Sequence, residues 1–158
     1  MMVGNIGSGK STWIKNNIKE NDIVVSADDF RHMFGAGTYK WRPDLENTIK
    51  KSILNLIENL LIHTKRNIIY DETNTTRWER FDVLNVVKKY KCRVVAIVLP
   101  RLSKDVSVIR RLNNNHGNHS QQSWEKVWEY KNMYYSEPSA DEFDEIIHAN
   151  LPTSTIVS

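Results

Sequence analysis

Short apolar runs alternate along the chain with longer stretches in which apolar residues recur every three or four positions. The first run, Met1-Met2-Val3, is short for a central parallel strand, which usually takes about five residues. From Lys10 to about Glu20, Ile14 and Ile18 lie four apart, the spacing of one helix face. Ile23-Val24-Val25-Ser26 is a β-branched run of the kind buried on both faces of a parallel sheet. Gly35 to Arg42 carries Gly35, Gly37, Tyr39 and Trp41 and reads as a loop. Pro43 then opens the clearest helix, to about Thr64, with Leu45, Ile49, Ile53, Leu56, Ile57, Leu60 and Leu61 as its apolar stripe. Asn67 to Asp71 is a third strand ending in an acid. Thr73-Asn74-Thr75-Thr76 offers turn and capping groups, and a helix from about Arg77 to Tyr90 shows Phe81, Leu84 and Val87 on one face. Arg93 to Leu99 is a fourth strand, stopped by Pro100. Ser103 caps a helix reaching Arg111 or Leu112, Asn113 to His119 is a polar loop, Gln121 to Tyr135 is a further helix, and Phe143 to His148 is a short last strand.

Strands alternating with helices predict an α/β fold, a parallel sheet wrapped by helices on both faces. Residues 1–158 read as one domain, long enough for a real core. The helix–loop–helix from about residue 103 to 135 falls between the fourth and fifth strands, where it can form a lid.

No apolar run approaches the roughly 20 residues that span a bilayer, so no membrane association is expected. A glycine-rich motif begins at Gly4, so no signal peptide is expected. Cys92 is the single cysteine and cannot form an intramolecular disulfide; it reads as a strand thiol, compatible with the cytoplasm. The net charge of +3 is unevenly placed. Arg101 to Tyr135 has a basic excess, whereas Glu137 to His148 carries five acids and no Lys or Arg. A basic segment suits an anionic substrate.

The candidate chemistry starts with Gly4-Asn5-Ile6-Gly7-Ser8-Gly9-Lys10-Ser11-Thr12, which fits G-x-x-x-x-G-K-[ST], the phosphate-binding loop. Its glycines let backbone amides point at phosphate oxygens. Lys10 supplies a mobile charge for the β- and γ-phosphates, the Ser11 hydroxyl is placed to ligate Mg²⁺, and a helix starting near Lys10 adds its positive end. Ligands in such sheets bind at the carboxyl ends of strands. Two other strand ends carry chemical residues. After the second, Asp28 or Asp29 is a general base toward a hydroxyl, and Arg31, three residues on, is placed to neutralise phosphate. After the third, Asp71 is an acid to support Mg²⁺, Glu72 can exchange roles with it, and Thr73 and Asn74 are candidates to bind acceptor. Arg77 and Arg80 on the next helix are further phosphate candidates, as are Arg110 and Arg111 in the lid. His116 and His119 lack the further ligands a metal site needs and are read as phosphate or acceptor contacts. Trp41, Trp78, Trp124 and Trp128 are candidates to stack on bases.

Together GNIGSGKST, SADDFR and YDETNTTRWER, with the closing SEPSADEFDEII, resemble the P-loop kinases related to 5′-hydroxyl polynucleotide kinases, with zeta-toxin and AAA-type kinases as wider relatives. The resemblance runs from Gly4 to Ile147. It implies a P-loop NTPase fold with a five-stranded parallel sheet and a helical lid, and ATP with Mg²⁺ as donor. It implies Asp28 as general base, Arg31 as transition-state and acceptor ligand, and a lid arginine matched by Arg110 or Arg111. The chain departs from the pattern in its short first strand and in a lid loop poorer in basic residues.

The expected activity is transfer of the γ-phosphate of ATP to a hydroxyl, foremost the 5′-OH of DNA or RNA. Lys10, Asp28, Arg31 and Arg111 are the expected catalytic set. The loop Gly4–Thr12 and Arg110 hold nucleotide, Asp29, Arg31, Glu72, Thr73, Asn74 and Arg77 hold acceptor, and Ser11 and Asp71 hold the metal. The alternatives are a small-molecule kinase, acting on a nucleotide sugar, nucleoside or sugar acid, and an ATPase module with no acceptor. No protein partner is indicated.

Overall fold

The computed structural model describes residues 1–114 and 119–150. In chain order the elements are β1 (Met2–Val3), α1 (Lys10–Asn17), β2 (Ile23–Ser26), α2 (Ala27–Phe34), α3 (Pro43–His63), β3 (Ile68–Asp71), α4 (Arg77–Lys89), β4 (Val95–Val98), α5 (Lys104–Asn113), α6 (Gln121–Met133) and β5 (Glu145–His148). The fold is α/β with parallel strands, as the alternation predicts.

Most helices start where a side chain can satisfy the open amides of a first turn. Ser26 accepts from the Asp28 amide, Ser103 from Val106 and Ser120 from Ser123. At α4, Thr76 and Glu79 form a reciprocal capping box, and α3 opens on Pro43. The segment after β2 is therefore a helix of its own, which puts Asp28 and Arg31 on one side of its first turn.

All strand pairs are parallel, but they form two ladders rather than one continuous five-stranded ladder. β1, β4 and β5 make one, with Met2 opposite Ile97 and Val98 opposite His148; β2 and β3 make the other, with Ser26 opposite Asp71. The reason is the two-residue length of β1. Its backbone is committed to β4, where Ile97 donates to Met1 and Leu99 to Val3. On its β3 side the seam is closed by the Gly4 amide donating to the Thr73 carbonyl at 2.9 Å and by Asn74 Nδ2 donating to the Met2 carbonyl at 2.8 Å.

Successive strand residues face opposite sides, so Met2 and Val3 enter different cores. Met2, Ile97 and Leu99 meet Ile14 of α1. Val3, Ala96 and Val98 meet Leu84 of α4 and Phe143. Ile49, Ile53 and Ile57 of α3 pack with Val25, Ala27 and Val83. Three expectations of packing shift. α1 ends at Asn17, leaving Ile18 exposed; Leu56 faces solvent while Leu54 packs; and Phe81 faces outward because Arg80, Val83 and Leu84 take the buried face of α4. Cys92 lies just before β4 rather than on it.

Arg80, a candidate phosphate ligand by sequence, is fully buried. Its Nε and Nη2 donate to both carboxylate oxygens of Glu142 at 3.0 and 2.9 Å, and Nη1 donates to the carbonyls of Asn74 and Ser136 at 3.0 Å each. It cross-braces the β3–α4 turn against the segment that follows α6. Removing one member of a buried ion pair strands the other's charge, a loss of about 3–5 kcal/mol. Arg80→Ala is therefore expected to lower the unfolding free energy by roughly that amount, read as a drop in the urea midpoint.

Candidate active site

The phosphate loop joins β1 to α1 in the conformation that its glycines permit. Gly7 and Gly9 have φ of 65° and 99°, a left-handed region that side chains disfavour. At Gly7 a Cβ would also come within 2.4 Å of the Ser107 carbonyl oxygen, so α5 sits directly on the loop. Ile6 is buried with Val108 of α5 and Trp124 of α6, and Asn5 Nδ2 donates to the Trp128 carbonyl at 3.1 Å. The helical pair α5–α6 thus packs on the loop as the sequence places it. Lys10 Nζ donates to the carbonyls of Gly4 (2.9 Å) and Asn5 (3.0 Å). Burial holds its ammonium below the usual range, with Asp71 and Glu72 opposing. Ser11 and Thr12 open onto a cleft of about 1340 Å³ that also exposes Asp28, Arg31, Asp71, Glu72, Thr73, Arg110 and Arg111.

The two strand-end motifs and the α5 arginines meet in this cleft. Asp28 Oδ1 accepts from Arg31 Nη1 at 2.6 Å, and Oδ2 accepts from Arg111 Nη2 at 3.2 Å. Burial pushes the Asp28 carboxyl up, but Arg111 and Arg31 outweigh it and hold it below the usual carboxylate range. Arg31 is in turn forked onto Glu46 of α3, with Nε at 3.0 Å and Nη2 at 2.5 Å from its two oxygens. Burial alone would lower the Arg31 pKa; the Glu46 hydrogen bonds and nearby Glu72 raise it instead. Arg110 Nη1 donates to the Gly7 carbonyl at 3.4 Å, beside the loop, while Arg111 points to Asp28 and lays its guanidinium 4.6 Å from the Trp124 ring centroid. The two neighbouring arginines of α5 therefore face different parts of the cleft.

Burial pushes the Asp71 carboxyl up, Lys10 opposes, and Asp28 and Asp29 add to the rise. Burial likewise pushes Glu72 up to about 7, against an attraction from Arg31. Glu72 also accepts from the Ala27 amide at 3.1 Å, which ties β3 to the start of α2.

Other expected site residues lie elsewhere. Asp29 is exposed, and among the described residues it does not line the cleft. Asn74 is buried at φ 47°, with its amide spent on the Met2 carbonyl. Arg77 pairs with Asp141 on the outside of α4. Trp124 is core, Trp78 is exposed and stacks on Phe81, and His116 lies outside the described residues. Glu46, Tyr39 and Lys131 line the cleft without having been found by sequence. Glu46 is fifteen positions from Arg31 on another helix, so no local spacing announces their pair.

A phosphate loop at the end of β1, with carboxylates at the ends of β2 and β3, defines the class as a nucleotide-binding P-loop fold. Residues 1–138 match the AAA domain family, and the chain belongs to that family. Its fold is that of the polynucleotide kinase-like P-loop kinases. A fungal RNA kinase shares 18% identity and a TM-score of 0.62 over 98% of this chain and 74% of its own. A chain of the Pnkp1/Rnl/Hen1 RNA repair complex shares 26% identity and a TM-score of 0.65 over 97% of this chain. The present sequence spans 51% of that chain, about half its length. Kti12 from Chaetomium thermophilum, solved with ADP-AlF3, shares 14% identity and a TM-score of 0.59 over 94% of this chain and 86% of its own.

Glu72 has a pH signature. Its folded pKa, about 7, lies above the ordinary glutamate value of 4.5, so the folded state keeps a proton that the unfolded chain releases. Stability from this group is then present below about pH 4.5 and lost as pH rises to about 7. Glu72→Gln is expected to gain on the wild type by on the order of 2–3 kcal/mol between pH 5 and pH 8, measured by urea unfolding at both values.

Proposed function

We propose that the protein transfers the γ-phosphate of ATP to the 5′-hydroxyl end of a polynucleotide. The observation that carries this reading is Asp28, an ionised carboxylate in the phosphate-loop cleft, held between Arg31 and Arg111. A nucleotide-hydrolysing switch needs no such base; a kinase does. Matches to an RNA kinase and to a chain of an RNA repair complex favour a polynucleotide over a small hydroxyl compound.

In this reading the loop amides and Lys10 hold the β- and γ-phosphates, as Arg110 does from the lid. The acceptor hydroxyl enters beside Asp28, which takes its proton as the oxygen bonds to the γ-phosphorus and the bond to the ADP oxygen breaks. Arg31 and Arg111, already aimed at Asp28, lie where charge spreads over the transferring group. Glu46 keeps the Arg31 fork oriented, since two parallel hydrogen bonds leave the guanidinium little freedom. Glu72 and Thr73 border the acceptor side.

Mg²⁺ fits the donor set of the cleft. Among the described residues no cluster of three or more His, Cys, Asp or Glu forms a protein cage for a metal. Mg²⁺ needs none, because it usually takes one or two carboxylates, waters and substrate phosphates. The Ser11 hydroxyl and the Asp71 carboxylate would hold it, and when bound it neutralises charge on the phosphates.

The test is transfer of label from γ-labelled ATP to 5′-OH oligonucleotides of DNA and RNA. Lys10→Ala is expected to abolish it. Asp28→Asn is expected to cut turnover by about 10²–10⁴-fold, the usual contribution of a positioned base, with little change in ATP affinity. An unaltered rate in Asp28→Asn would remove the base assignment. ATP binding without label on any oligonucleotide would move the acceptor to a small molecule.

A further inference from the structure

Next to the candidate base the cleft has an aromatic wall that phosphoryl transfer does not use. Arg111, hydrogen-bonded to Asp28, lies on the Trp124 ring. The His119 ring sits 4.8 Å from Trp124, centroid to centroid, and Trp41 lies 6.4 Å beyond His119. Tyr39 closes the back at 6.1 Å from His119. All four aromatics line the cleft. They differ in exposure: Trp124 and Tyr39 are buried at 5% and 7%, whereas Trp41 is 50% exposed. A ring placed for core packing alone would be covered, and the buried pair already provides that packing. Trp41 is half exposed on the cleft lining, at the outer end of the contact series Asp28, Arg111, Trp124, His119, Trp41.

Its sequence neighbours add a second, independent observation. Lys40 and Arg42 flank Trp41, and all three are exposed on the same loop. A stacking ring between two cations is the arrangement that grips a single nucleic-acid strand, the ring taking a base and the cations tracking phosphates. Trp78 is the competing exposed tryptophan. It borders a smaller cavity where Lys50 is paired with Asp82 and Lys131 with Glu79, so the cations there are already neutralised.

We infer that Trp41, with His119 beside it, is the stacking site for the 5′-terminal base of the acceptor strand, and that Lys40 and Arg42 hold the phosphates that follow. This rests on the polynucleotide reading above and specifies how that acceptor is bound. It also sets a direction: the terminal hydroxyl points inward to Asp28, the base lies against Trp41 and the strand leaves toward the loop surface.

The experiment compares two 5′-OH oligonucleotides of equal length, one with an ordinary terminal nucleotide and one abasic at that position. Stacking on an aromatic ring corresponds to roughly tenfold or more in affinity. Wild type is expected to show a KM for the abasic acceptor about tenfold higher or more. Trp41→Ala should raise the KM of the base-bearing acceptor to that of the abasic one, and Trp41→Phe should keep most of the difference. In a direct binding assay, a 5′-terminal 2-aminopurine should be quenched by wild type and far less by Trp41→Ala. Replacing Lys40 and Arg42 together with Gln should weaken both acceptors alike and flatten the dependence of log affinity on log salt by about 1.4. Label on both oligonucleotides with equal KM in wild type, or a base preference that survives Trp41→Ala, overturns the stacking site and leaves the polynucleotide reading standing. No label and no quenching with any oligonucleotide overturns both.

Discussion

Unlike charges crowded into one partly buried volume are the constraint on which this structure depends. Lys10, Lys15, Arg31, Arg110, Arg111 and Lys131 share the cleft with Asp28, Glu46, Asp71 and Glu72, six bases with four acids. Each cation is placed where it does the most good. Arg31 spans Glu46 and Asp28, Arg111 takes the other oxygen of Asp28, and Lys10 leans on loop carbonyls within reach of the field of Asp71 and Glu72. Burial raises the pKa of Asp71 and Glu72, while Asp28, between Arg111 and Arg31, is held below the usual carboxylate range. Burial and Coulomb attraction together thereby sort three neighbouring carboxylates into one held ionised and two that keep their protons more readily. A triphosphate entering this volume brings further negative charge, which is the physical reason that the proposed reaction calls for Mg²⁺.

The elements were largely legible because their signals are local. Short continuous apolar runs and helical stripes gave the strand and helix order, and Ser103 marked a real cap. The phosphate loop and Asp28–Arg31 could be found because their residues are adjacent in sequence. What stayed hidden is set by long-range geometry. Glu46 reaches Arg31 from another helix, and Tyr39 sits in a loop without a pattern of its own. Asn74 looked like an acceptor ligand, but its positive φ turns its amide toward β1. Arg80 looked like a phosphate ligand, but four hydrogen bonds, two to Glu142 and one each to the Asn74 and Ser136 carbonyls, draw it inside. Sequence identifies polar residues at strand ends readily; whether a given one serves substrate or architecture depends on which carbonyl it meets.

The helical pair α5–α6 has a double attachment. Hydrophobic burial of Ile6, Val108 and Trp124 fixes it to the loop, and its arginines diverge from adjacent positions, Arg110 to Gly7 and Arg111 to Asp28. Consecutive residues on a helix point about 100° apart, so one short segment can address both donor and acceptor sides.

The divided sheet also has a mechanical meaning. The phosphate loop follows β1 and the lid follows β4, both in one ladder, whereas Asp28 follows β2 and Asp71 follows β3, both in the other. In the proposed reaction the gap between the transferring phosphorus and the receiving oxygen would thus be measured across the seam, not along either ladder. Gly4 and Asn74 act as its hinge pins and the Arg111–Asp28 contact as its clasp. Side chains cross the seam as well, with Val24 and Ile69 packed on the cluster of Met2, Ile14, Ile97 and Leu99, so the two ladders are joined more by apolar contact than by backbone rungs.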